Sequence, residues 1–92
     1  MIHEVVIKWH DLVEDPSDLP PWSGWYMVTT VMERMLWEEH TVAILHSCIE
    51  AHYDIETKTW TEELQDVYKM IDNVTAWANK IPPYDSPSIR KI

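Results

Sequence analysis

A small single-domain α+β fold, mainly antiparallel sheet with one short helix, is what this sequence predicts, and three patterns lead there. Aromatic and β-branched residues concentrate in Trp25 to Val31 and Val74 to Ala78, and such residues suit a pleated surface. Tyr53 and Trp60 flank Asp54-Ile55-Glu56-Thr57-Lys58, a hairpin-like connector that would make the two aromatics cross-strand neighbours. Leu64, Val67, Tyr68 and Ile71 recur at i, i+3, i+4 and i+7, the spacing of one helix face.

Taken in order, Glu4 to Trp9 reads as a short strand, because Val5-Val6-Ile7 is β-branched. Asp15-Pro16-Ser17-Asp18-Leu19-Pro20-Pro21 is a connector: its prolines remove backbone donors and push the preceding residues out of helical conformation. Gly24, the single glycine of the chain, supplies a turn that launches the strand Trp25 to Val31. From Met32 to Tyr53 the periods conflict. Met, Glu, Leu and Ala favour a helix, whereas Thr41-Val42-Ala43-Ile44 favours a strand, and Leu45, Ile49 and Tyr53 fit both spacings. The hairpin connector that follows tips the segment toward strands. Thr61 to Asp72 is expected as the helix, capped by Thr61 or Thr59, with Glu62 and Glu63 in its first turn. Val74 to Ala78 closes the sheet, and Ile81-Pro82-Pro83-Tyr84 stops regular structure. With 92 residues, one domain over 1–84 and a mobile tail over 85–92 are expected.

Composition excludes several classes. A content of 46% hydrophobic residues supports one small core and argues against disorder. No apolar run approaches the ~20 residues of a membrane-spanning helix, and Met1-Ile2-His3-Glu4 lacks a basic, apolar leader, so a cytoplasmic protein without membrane contact is expected. The lone Cys48 gives no intrachain disulfide and no zinc ribbon.

The formal charge of −9 is unevenly placed: Trp9 to Thr57 holds ten acids against Arg34, and the remainder balances. Direct nucleic-acid binding is disfavoured, because phosphate contacts require Lys and Arg. An acidic surface instead attracts a basic partner or serves solubility.

Read together, Trp9 to Pro20, Ser23-Gly24-Trp25-Tyr26-Met27-Val28, Tyr53-Asp54 through Lys58 and Trp60, and Asn73-Val74-Thr75-Ala76-Trp77 through Pro82-Pro83 resemble domain of unknown function family 551, short bacterial and phage proteins. The chain departs from that pattern at Ala76, where the family often has histidine, and in its long Met32 to Glu50 segment. The resemblance implies a phage or prophage origin and a mainly antiparallel fold. It brings no chemistry.

Candidate chemistry centres on His46, Cys48, Glu50 and His52, which a strand would send to one face. Residues two apart on a strand lie ~6.6 Å apart, so all four cannot meet one zinc ion. A neighbouring pair completed by His3, His10 or His40 is the alternative, as is a Cys48 nucleophile served by His46 or His52. A polar sheet face is the plainer reading, and no metal or other cofactor is expected. One glycine excludes phosphate-cradling loops. Trp9, Trp25, Trp60 and Trp77 are expected in the core, whereas Trp22 and Trp37 are candidate anchors for a partner or a homodimer. Together with Glu14, Asp15 and Asp18 they form the expected binding set. The leading expectation is a non-enzymatic protein-binding module. A nucleic-acid mimic directed at a host DNA-processing or defence enzyme, and a metal protein or enzyme using His46, Cys48 and His52, are the rivals.

Overall fold

Six antiparallel strands, joined mostly by tight turns, make up the computed structural model, which describes residue 4 and residues 6–80. The strands are β1 (His10–Asp11), β2 (Gly24–Leu36), β3 (Thr41–Asp54), β4 (Thr59–Leu64), β5 (Val67–Ile71) and β6 (Val74–Ala78). Their order in the sheet is β1-β6-β2-β3-β4-β5. No described residue is helical, so the fold is all-β, and the expected α+β class is corrected.

The expected helix over Thr61 to Asp72 is instead the hairpin β4–β5. Trp60 pairs with Ile71 and Leu64 with Val67, leaving a two-residue turn at Gln65 and Asp66. Both turn residues have positive φ, 47° and 67°, the backbone that matches the right-handed twist of the flanking strands. Of the four residues on the supposed helical face, Leu64, Val67 and Tyr68 are exposed and Ile71 alone packs against the core. The first strand also differs. Among the described residues of Glu4 to Trp9 none is in a strand; pairing begins at His10, opposite Trp77, and runs to Leu12, whose N–H donates to the Thr75 carbonyl. Asp11 then turns the chain, its side chain accepting from the Val13 and Glu14 N–H groups.

The ambiguous central segment is β-structure, as favoured: β2 and β3 pair without interruption from Gly24↔Tyr53 to Leu36↔Thr41. The turns at either end of β3, before Thr41 and before Thr59, close with a left-handed residue, His40 (φ 52°) and Lys58 (φ 57°). Tyr53 faces Trp60 across β3 and β4, and the last strand is Val74–Ala78, both as the sequence predicts. The tail at 85–92, the domain end at 84 and the proline stop at 82–83 lie outside the described residues.

Alternation puts Tyr26 and Val28 on one face with Ala51 and Tyr53; together with Trp60 and Trp77 they form the buried cluster. Tyr26 meets Trp60 and Trp77 edge-on, at centroid distances of 6.1 and 5.2 Å, the geometry aromatic quadrupoles prefer. Leu12, at the end of the β1 pairing, and Leu19 of the proline-rich connector cover the cluster, and Pro20 is buried. Polar contacts hold this cover down. The Trp77 indole N–H donates to the Asp18 carbonyl at 2.6 Å, and the Tyr26 hydroxyl donates to the Trp22 carbonyl at 2.8 Å. Trp9 and Trp25, expected inside, are exposed, because Trp25 has the opposite parity to Tyr26 and Val28. Its ring lies edge-on to His52 on the open face.

Connectivity forces the sheet to curl. Ile71 ends β5 and Val74 begins β6, and three residues reach at most ~11 Å. In a flat sheet those two strands would stand four spacings apart, ~19 Å. The β4–β5 hairpin therefore folds back over the aromatic face, which is why Ile71 packs there.

Candidate protein-interaction surface

Neighbouring strands support the β2–β3 hairpin over only part of its length. On one side β6 reaches Thr30, and Asn73 ends the contact by donating its side-chain N–H to the Val31 carbonyl at 3.0 Å. The Asn73 carbonyl in turn accepts from the Val31 N–H at 3.2 Å. On the other side β4 pairs only with His52, Tyr53 and Asp54. Beyond these limits Met32–Leu36 and Thr41–Ser47 form a two-stranded arm with no described strand beside either edge.

Both faces of the arm carry apolar side chains. Met32 and Leu45 pair on the face that continues the core, while Met35 and Val42 pair on the opposite face beside Ile44. All five are exposed, and Trp37 at the tip is 76% exposed. Around the tip, Arg34, Met35, Leu36, Trp37, Glu38 and Glu39 line an open concavity of about 360 Å³. The amide of Glu39 closes this turn on the Leu36 carbonyl at 3.2 Å. Along β3 the run from His40 to Ile49 contains no Asp, Glu, Lys or Arg. Isolated exposed apolar residues are ordinary on proteins, but five on one projecting element, two on one face and three on the other, mark it as a contact surface.

The binding residues expected from sequence are scattered. Trp22 is 73% exposed on the connector, before the start of β2, and Trp37 follows the far end of that strand. Asp15 shapes the connector itself: it accepts from the Ser17 amide at 3.1 Å and the Ser17 hydroxyl at 2.6 Å, and these bonds hold its carboxyl below the usual value. Asp18 pairs with His10 Nδ1 at 2.8 Å, and the His10 ring stacks on Trp77 at 4.0 Å. Glu14 is exposed, with its amide tied to Asp11. Two of the three acids thus help position the cover over the core.

His46, Cys48, Glu50 and His52 do share the face of β3 that also carries Ile44. They are opposed by Val31, Thr29, Met27 and Trp25, none of which is a metal donor in the usual sense. Glu50 reaches Lys80 at 3.3 Å, and Cys48 is an exposed free thiol. Among the described residues no three His, Cys, Asp or Glu side chains converge on a common point.

The apolar arm was not anticipated from sequence. Met32, Met35, Val42, Ile44 and Leu45 have the side chains of a core, and only the uncharged run beside an acidic tip hints that they lie outside one. No family model, curated protein or solved structure matches the chain. Among the described residues no helix is long and apolar enough to cross a membrane.

Proposed function

We propose that this protein is a non-enzymatic module that binds another protein through the β2–β3 arm. The observation that carries the reading is the exposure of Met32, Met35, Trp37, Val42, Ile44 and Leu45 on one projecting element. Met and Trp are the residue types enriched where protein surfaces meet, and burying them would supply the apolar driving force that their exposure withholds from the fold. The acidic tip, Glu38 and Glu39, favours a basic partner and would speed encounter with it. A phage or prophage accessory role in the bacterial cytoplasm goes with this reading; it rests on the family resemblance.

Affinity capture of the full chain from bacterial lysate, repeated with a Met35→Ala/Trp37→Ala variant, tests the assignment. Both side chains are exposed, so the variant should keep its melting behaviour while its retained partner falls at least tenfold. Unchanged retention by the double variant, with loss on reversing Glu14 and replacing Trp22, would move the binding surface to the connector. Competition by duplex DNA for the same captured partner would favour the mimic instead.

A further inference from the structure

The outer edge of β3 shows how the arm would bind, on the reading of that arm as the contact surface. β3 joins β4 only from His52 to Asp54, so its backbone groups from Thr41 to Ala51 meet no described strand on that side. A free edge is a template for another strand, and natural proteins usually guard one with Lys, Pro, a bulge or a short length. This stretch has no Pro, Gly, Lys or Arg, and its single charge, Glu50, is turned to Lys80. By contrast, the β2 edge of the arm carries Glu33 and Arg34.

Charge selects among occupants. Glu38 and Glu39 stand at the tip end of the free edge, and Glu62 and Glu63 stand at the other end, where β4 parts from β3. Glu62 also lines an open cleft of about 350 Å³ between the β2–β3 hairpin and the β4–β5 hairpin, where Lys69, its cross-strand partner, offsets one charge and Asp72 adds another, so that with Glu63 this end stays acidic. A second copy is a poor occupant. Pairing two β3 edges antiparallel across Thr41 to Ile49 would carry the tip glutamates of each copy toward Glu62 of the other, and parallel pairing would set tip beside tip. Like charges oppose each other in both arrangements.

We infer that the outer edge of β3 accepts an extended segment of another protein as an added strand, with an uncharged β-branched centre and Lys or Arg at both ends. Main-chain hydrogen bonds would supply the attachment, Val42, Ile44 and Leu45 would contact alternate side chains, and the acidic ends would set the register.

Two synthetic peptides test this with the full chain: a nine-residue alternation of valine and threonine flanked by two lysines at each end, and the same centre flanked by glutamates. The lysine-flanked peptide should bind at least tenfold more tightly and slow amide exchange across Thr41 to Ile49. A Glu38→Lys/Glu39→Lys variant should reduce that preference at least threefold. Equal affinity for both peptides, or no binding of either at millimolar concentration, would overturn the inference. If the Met35→Ala/Trp37→Ala variant still lost its captured partner, the protein-binding reading would survive without it. Protection, in the free protein, of those Thr41 to Ile49 amides that are not paired with β2 would also overturn it; sedimentation would then assign the edge to a second copy or to the chain itself.

Discussion

Trp77 and Trp25 lie on neighbouring strands yet face opposite sides of the sheet, and the difference should be measurable. Trp77 is 3% exposed, stacks on His10 and donates to the Asp18 carbonyl, so Trp77→Ala removes packing and the anchor of the connector together. A cost of about 3–5 kcal/mol is expected from urea unfolding. Trp25 is 37% exposed, so Trp25→Ala should cost about 1 kcal/mol or less. Equal losses would mean that the parity of β2 is wrong. The sequence announced that aromatics would build the core, but not which ones, since a strand's two faces are distinguished only by what covers them. Tyr53 supplies a pH test. Burial first, then the charge of Asp54 and the neighbouring Tyr26, push its phenol above 10.0. The folded state therefore holds this proton more tightly than the unfolded chain. Its contribution to stability is complete below pH ~10 and is lost as pH rises through the folded value. Tyr53→Phe should flatten that alkaline loss in urea titrations between about pH 9 and 11; an unchanged profile would remove Tyr53 as its source.

At the scale of elements, the hairpins were unequally legible. Tyr53 and Trp60 signalled theirs because two large aromatics bracket a polar connector, and Val74 to Ala78 stood out as a short β-favouring run before the prolines. The β4–β5 hairpin was hidden for two reasons. Its turn, Gln65-Asp66, lacks the Asn-Gly signature of tight hairpins, and its apolar residues fall by chance at helical spacing. That coincidence makes one substitution diagnostic. Asp66 has φ 67°, so Asp66→Gly relieves a left-handed residue and should stabilise the protein by up to about 1 kcal/mol. In the expected helix, glycine would destabilise by a similar amount. The sign of the change in urea midpoint separates the two structures.

For the whole molecule, shape and charge lead to one functional account. The radius of gyration is 17.1 Å, against about 12 Å for a compact domain of this length, consistent with an arm extending beyond the core. The acidic excess was evident in the sequence. Its division was not, because turn-building at Asp15 and pairing of Asp18 with His10 appear only once the connector is folded. The arm escaped for a related reason: alternating apolar residues signify a strand, while their exposure depends on how far the neighbouring strands extend. The central claim is that this arm is where a partner binds. Amide hydrogen exchange of the full chain, alone and saturated with its captured partner, tests it most directly. The account predicts rapid exchange in free Met32–Ser47 at the amides not paired between β2 and β3, and at least tenfold slowing on binding, with little change in the connector at 12–23. Slowing confined to the connector, with the arm unchanged in the complex, would contradict it.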